Sequence, residues 1–338
     1  MSSSLFPPAE HPAARSQAPS SVVMVRPHNF RPNPITIADN AFQSRAPQEA
    51  PDVVARAAHR EVSTVAERLE AVGVAVHLFD DIGDDLPDSV FPNNWFSTHE
   101  DGRVALYPMY SPNRRGERRQ DVVTMLRDRF RITAVHDYSV LEDEEVFLEG
   151  TGAMVMDHVH RVAYISRSYR ANERAVSQVC RDLGYLPTVF ATTDQRGIAI
   201  YHTNVMMSVG TTMALVGLET IPDLEERRRI ERQLHDTGHT IVPLTHEQID
   251  DFAGNAIEVQ GTDGRYLVMS ARAHASLSAA QERAIAQHAT ILSVPVPTIE
   301  LAGGSIRCMI AGIHLPQRPA PFHDAVPLQA SQEPLPSS

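Results

Sequence analysis

The stretch Leu301-Ala302-Gly303-Gly304-Ser305-Ile306-Arg307-Cys308-Met309 decides how the rest of this chain is read. A glycine pair lets the backbone turn at positive φ or pass close to a ligand. Here the pair follows an apolar, strand-like run from Ile291 to Ile299 and delivers a cysteine. A lone cysteine is most often a small buried hydrophobe. The chain's other cysteine fits that description, since Val176, Val179, Cys180 and Leu183 share one face of an expected helix. Cys308 stands instead in a loop after glycines, which makes it a candidate nucleophile.

With 338 residues, of which 42% are hydrophobic, the chain can bury one large core or two modest ones. A formal net charge of -12 argues against a nucleic-acid or anionic-membrane partner. Two unpatterned cysteines speak against a disulfide scaffold and for a reducing compartment. Neither a secretory leader nor a membrane-length apolar run is visible, so a cytoplasmic protein is expected. Sixteen histidines raise the question of a metal. Asp157-His158-Val159-His160 would place both imidazoles on one face of a strand, yet no third ligand stands at a recognisable spacing. No metal and no cofactor are expected.

Residues 1–20 and 317–338 are rich in Ser, Pro and Ala and read as disordered tails around a single catalytic domain over 21–316. Strands are expected at Ser21–Arg26, Val74–Phe79, Val90–Asn94, Val104–Met109, Thr133–Tyr138, Gly152–Asp157, Val162–Arg167, Leu186–Ala191, Ala199–Ser208, Thr212–Leu218, Thr240–Pro243 and Ile291–Ile299, with Ile306–Ile313 last. Helices interleave them: one from Pro51 stopped by Gly73, then Arg114–Phe130, Asn172–Leu183 and Asp223–Asp236. Thr245 with Gln248 and Ser278 with Gln281 form capping boxes, and Asp263-Gly264 turns a hairpin. A helix followed by two or three strands recurs every ~50–70 residues, the interval at which propeller-like repetition is looked for.

Three stretches carry unpaired chemistry. They are Glu149 in Phe147-Leu148-Glu149-Gly150-Thr151-Gly152, His202 in Ile200-Tyr201-His202-Thr203-Asn204, and Cys308. A thiol needs a base, and that histidine needs an acceptor to fix its tautomer. The order Glu, His, Cys, with the cysteine near the C-terminus, is not that of papain-like proteases. It resembles the guanidino-group-modifying superfamily of arginine deiminases, dimethylarginine dimethylaminohydrolases, agmatine deiminases and amidinotransferases. The likeness lies in Gly303 to Cys308, Glu149 to Gly152 and His202 to Asn204, and extends from about Val22 to Pro316. It implies an α/β fold, a five-bladed α/β propeller of ββαβ-type units (the pentein fold), with Cys308, His202 and Glu149 as catalytic residues in a central channel. It also implies that Arg170 and Arg115 grip the carboxylate of an amino-acid substrate.

The departures from the family pattern point to the substrate. Asn94 and Asn204 stand where guanidinium-binding members carry carboxylates, and Gly152 replaces the last carboxylate of a Glu-Gly-Gly-Asp motif. Carboxamides suit a neutral ureido group, which needs both a donor and an acceptor. The closest likeness is to citrulline-utilisation hydrolases, so the expected reaction converts citrulline to ornithine, ammonia and carbon dioxide through an S-carbamoyl enzyme. The alternatives are an arginine deiminase or dimethylargininase-like amidinohydrolase, and a non-catalytic amino-acid sensor on the same fold. A protease-like activity is disfavoured because a closed channel excludes peptides. Oligomeric state and the role of Arg307 stay open, and Asn29 to Asn40 reads as a lid.

Overall fold

A computed structural model describes residues 16–318 apart from 38–39, 44–48, 82 and 84. Five three-stranded mixed sheets follow one another along the chain. The first contains β1 (Ser21–Arg26), the helix Pro51–Ala71 and β2 (Ala75–Asp80), with β1 and β2 parallel from Ser21↔Ala75 to Arg26↔Asp80. The second comprises β3 (Phe96–Thr98), β4 (Arg103–Leu106), the helix Gln120–Arg129 and β5 (Ala134–Asp137). The third has β6 (Met154–Asp157), β7 (Val162–Ser166), the helix Glu173–Leu183 and β8 (Leu186–Phe190). In the fourth are β9 (Met207–Val209), β10 (Met213–Val216), the helix Leu224–Asp236 and β11 (Thr240–Pro243). The fifth has β12 (Ile257–Gly261), β13 (Gly264–Ser270), two short helices, Ala271–Ser276 and Ala279–Ile285, and β14 (Thr290–Val294). The chain then returns to the first sheet, where β15 (Ala311–Gly312) lies antiparallel to β1 at Val22↔Gly312 and Val23↔Ala311. Each unit is thus an antiparallel pair followed by a helical crossover to a third, parallel strand. This is the five-bladed α/β propeller that the family resemblance implied.

The crossover helices are held by their buried stripes. Pro51–Ala71 has proline in its first turn and buries Val54, Ala58, Val62, Val65 and Leu69 against the first sheet. Each of these valines and the leucine contributes about 1.5–3 kcal/mol. The Asn172 side chain accepts from Arg174 N to cap Glu173–Leu183, which ends in left-handed Gly184 and buries Cys180 in the core, as expected. Both capping boxes form. The buried apolar clusters span neighbouring blades: Val23 and Ala311 of the first pack with Trp95, Phe96 and Val104 of the second. No helix among the described residues is long and apolar enough to cross a membrane.

Several expected elements differ. Val90–Asn94, the middle of Ala199–Ser208 and the start of Ile306–Ile313 are single helical turns, at Pro92–Asn94, Thr203–Met206 and Ile306–Met309, each leading into a short inner strand. Arg114–Phe130 is a 3-10 turn, Pro112–Glu117, and a separate helix, because Arg118 and Arg119 are extended. Ile291–Ile299 ends early, at Val294, and a 3-10 turn at Ile299–Ala302 follows. Most of both expected tails, 1–15 and 319–338, lies outside the described residues. The last residues of the first are packed: Gln17 donates from Nε2 to the carbonyls of Met156 (2.9 Å) and Val209 (2.8 Å) and accepts from His158 N (2.7 Å). Gln17 thereby lines, with the inner strands, a chamber of about 590 Å³.

Candidate active site

The functional groups come from one structural device. Glu149 precedes Met154, the first residue of β6, by five positions, and His202 precedes Met207, the first of β9, by the same five. A compact turn before each inner strand brings its side chains to the channel. At the last of these turns Gly303 takes φ +79, and a Cβ on Gly304 would lie 2.9 Å from the Phe91 ring. Only glycines let the chain turn this tightly and place Cys308 inward.

Cys308, His202, Glu149, Asn94, Asn204 and Arg170 are all buried. All but Glu149 and Asn204 line a cavity of about 280 Å³, and those two touch residues that do. The Cys308 Sγ accepts hydrogen bonds from Asn204 Nδ2 (3.3 Å) and Asn255 Nδ2 (3.2 Å). Two amide donors thus converge on one sulfur. His202 Nε2 donates to Glu149 Oε2 at 2.8 Å, which leaves Nδ1 as the unprotonated nitrogen of the neutral ring. Burial pulls His202 down to about 4 in spite of Glu149, so the resting imidazole is neutral at pH 7. Burial opposes the charge on Glu149, but Arg170, the His202 hydrogen bond and Arg114 outweigh it and hold the carboxyl well below the ordinary range. Its other oxygen accepts from Tyr110 N (3.1 Å).

Arg170 Nη1 lies 3.3 Å from Glu149 Oε2, with its guanidinium over the Tyr201 ring (4.9 Å). Arg115 is not at the cavity. It is one-third exposed, 3.4 Å from Glu142, and its guanidinium faces Phe147. Its neighbour Arg114 enters instead, because the 3-10 turn directs the two side chains apart. Arg114 binds Glu117 through two hydrogen bonds (2.9 and 2.8 Å) and lies 3.6 Å from both Asp88 and Glu149. Burial pushes Glu117 up to about 7 and raises Asp88, even with Arg114 beside both. The expected lid reaches the cavity with Thr36 and Asn40, and Asn33 Nδ2 donates to Asp88 Oδ2 at 2.8 Å.

Asn255 and Asp88 escaped the sequence reading. A signal for Asn255 existed: it stands two residues before β12, as Asn94 stands two before β3. Gly152 is explained by the site itself. A Cβ there would come within 2.3 Å of Asn94 Nδ2 and 2.8 Å of His202 Nδ1, so no side chain fits where the related motif carries a carboxylate.

Residues 26–315 match the family described as N,N dimethylarginine dimethylhydrolase, eukaryotic. The chain belongs to that family. Among solved structures, ArgZ, an arginine dihydrolase from the ornithine-ammonia cycle in cyanobacteria, superposes with a TM-score of 0.67 at 17% identity over 88% of this chain. The match covers 41% of the full ArgZ chain and 98% of its N-terminal domain, solved with substrate bound. A dimethylarginine dimethylaminohydrolase in an adduct with S-methyl-L-thiocitrulline gives a TM-score of 0.58 at 14% identity, covering 87% of this chain and 99% of that one. At these identities the structures show a shared pentein fold. No curated protein matches. The dimethylarginine dimethylhydrolase family places the chain among hydrolases of guanidino compounds, in the superfamily that its Glu, His, Cys order resembled.

Proposed function

We propose that this protein hydrolyses the guanidino group of arginine or an N-methylated arginine, with Cys308 as nucleophile, His202 as acid and base, and Glu149 orienting His202. The carrying observation is the pair of carboxamide N–H groups on Cys308 Sγ beside a cavity holding a neutral, Glu149-bound histidine. Family membership supports a guanidino substrate, and so does the orientation of the asparagines. Asn204 spends its Nδ2 on Cys308 and Asn94 spends its Nδ2 on Asn93 Oδ1 (3.1 Å), while Asn204 Oδ1 is buried without a partner. Acceptor oxygens suit a group rich in N–H.

In this reading His202 Nδ1 takes the Cys308 proton, and the thiolate forms a C–S bond to the guanidino carbon. The departing nitrogen leaves as ammonia or a methylamine, carrying the proton from His202. Water, deprotonated by the same nitrogen, then attacks the carbon. The C–S bond breaks, citrulline is released, and His202 Nδ1 returns its proton to the Cys308 sulfur. Arg170 binds the substrate carboxylate and Asp88 its ammonium group.

Citrulline itself is the second reading, favoured by the absence of carboxylates at Asn94, Asn204 and Gly152, since a buried cation needs a charged partner. Product analysis with L-arginine, N,N-dimethyl-L-arginine and L-citrulline, with Cys308→Ala as control, decides. Citrulline formed from either guanidino compound supports the first reading. Ornithine and ammonia from citrulline alone would replace it with the second, and turnover surviving in Cys308→Ala would refute the nucleophile.

A further inference from the structure

Cys308 and its neighbour Arg307 open onto different cavities. Cys308 lines the one described above, whereas Arg307 lines the chamber of about 590 Å³ walled by the inner strands β3, β6, β9, β12 and β15, and no described residue lines both. The Arg307 guanidinium has five N–H groups and gives one, on Nη1, to the Ile310 carbonyl at 3.0 Å. Among the described residues nothing accepts from its Nε–Nη2 edge, and no carboxylate pairs with it.

That edge has a regular use elsewhere in the chain. Arg26 with Asp80, Arg114 with Glu117 and Arg119 with Asp121 each hold the two oxygens of one carboxylate through Nε and Nη2, at 2.6 to 3.0 Å. The buried arginines Arg114 and Arg170 both stand beside Glu149, at 3.6 and 3.3 Å. Arg307 differs from all of these. Burial pulls it down to about 10, opposed by Cys308, so it stays charged at pH 7, and an enclosed charge without a counter-charge is costly. The other groups lining the chamber do not offset it. His158 and His314 stack with ring centroids 3.7 Å apart, and burial, with Arg307 adding to it, holds both below the ordinary imidazole range and leaves them neutral. Glu258, the one carboxylate among the lining residues, is turned to other partners: its Oε2 accepts from Thr211 N (2.7 Å) and its Oε1 lies 3.9 Å from Arg265 Nη1.

We propose that the Nε–Nη2 edge of Arg307 binds the carboxylate of a small aliphatic acid inside this chamber, at a site separate from the one at Cys308. The planar fork suits a two-oxygen group better than a spherical anion, and Met156, Met207, Val209 and Ala256 give the alkyl end an apolar wall. Gln17, bonded to Met156, His158 and Val209, and Pro19, whose carbonyl accepts from Gln260 N (3.0 Å), lie across the ends of β6, β9 and β12. The ion pair therefore forms away from bulk water, where its attraction is stronger.

The test titrates the full chain with sodium acetate, the ionic strength held constant with sodium chloride. Saturable broadening of the acetate methyl proton signal and a rise in melting temperature in acetate over chloride are expected. Arg307→Met, close in length but uncharged, weakens binding by about tenfold or more. Arg307→Lys, which keeps the charge and loses the fork, weakens it too. Arg170→Met separates the two cavities, and acetate binding survives in it. Binding lost in Arg170→Met and kept in Arg307→Met would place the acetate beside Cys308 and overturn the proposal. Equal binding by wild type and Arg307→Met, an equal response to chloride, or no saturable binding to the wild-type chain would each overturn it as well, the last leaving water as the partner of Arg307.

Discussion

Substituting Asn255 by alanine tests whether the thiol environment is built as described. Asn255 Nδ2 donates to Cys308 Sγ (3.2 Å) and to the Asn204 carbonyl (3.0 Å), and its Oδ1 accepts from Arg307 N (3.0 Å). A hydrogen bond to a charged acceptor is worth about 1.5–3 kcal/mol, and about 1.4 kcal/mol is tenfold in population. Asn255→Ala should therefore lower the thiolate fraction, and with it the rate of alkylation by iodoacetamide at neutral pH, by about 10- to 100-fold. The buried Asn204 carbonyl loses its bond at the same time, and Arg307 N one of its two, for a stability cost of about 1–3 kcal/mol read from urea unfolding. Alkylation rates over pH 5 to 10 separate the two effects, since a merely loosened fold exposes the cysteine and speeds the reaction. An unchanged or faster alkylation rate in a variant that is destabilised as expected would refute the claim that Asn255 stabilises the thiolate.

Gly152→Ala pushes a methyl into His202 Nδ1 and Asn94 Nδ2; turnover should be lost at an overpacking cost of about 1–3 kcal/mol, and near-normal kcat would contradict the placement of Nδ1. Glu149→Gln leaves Arg170 and Arg114 without their shared charge, so urea unfolding should show a loss of about 3–5 kcal/mol, whereas wild-type stability would show that the two arginines find other compensation. Arg115→Ala should leave KM unchanged while Arg170→Lys raises it, because only Arg170 lines the cavity; the reverse pattern would restore Arg115 as the carboxylate grip. Burial holds His99, His202 and His314 at about 3, 4 and 4. These folded-state values lie below the ordinary 6.5, so stability is intact above pH 6.5 and is lost as the pH falls towards 4. The loss is up to about 4 kcal/mol per pH unit, about 1.36 for each of three histidines, and equal urea midpoints at pH 7 and pH 5 would exclude it.

The repeat was legible, and so were Glu149, His202 and Cys308 as candidates, because both are written locally. Helical stripes such as Val54 to Leu69, the capping boxes and the Asp263-Gly264 turn are short-range patterns, and the Glu, His, Cys order survives without knowledge of contacts. What periodicity could not show were the turns that carry the site. Thr203–Met206 and Ile306–Met309 are only four residues long, too short for a helical period to differ from a strand's alternation. That Arg114 rather than Arg115 lines the cavity was hidden for a related reason: neighbours in a 3-10 turn point apart, and Arg114 is drawn inward by Asp88 and Glu117, contacts invisible in a run of basic residues. Asn255 was missed because an asparagine after glycine reads as a loop residue until the five inner strands are aligned.

Those strands also explain why the proposed nucleophile comes last. Each blade alone offers one or two polar groups at the mouth of its inner strand: Asn94 from the second, Glu149 from the third, His202 and Asn204 from the fourth, Asn255 from the fifth. Cys308 precedes β15, which belongs by pairing to the first blade but by sequence to the end of the chain. Its sulfur is bound by the fourth and fifth blades, while its strand is bound to β1 through only two residue pairs. The pair of amide donors on the thiol therefore exists only in the closed ring. Apolar packing of Ile310, Ala311 and Ile313, rather than the short ladder, supplies most of the free energy of that closure.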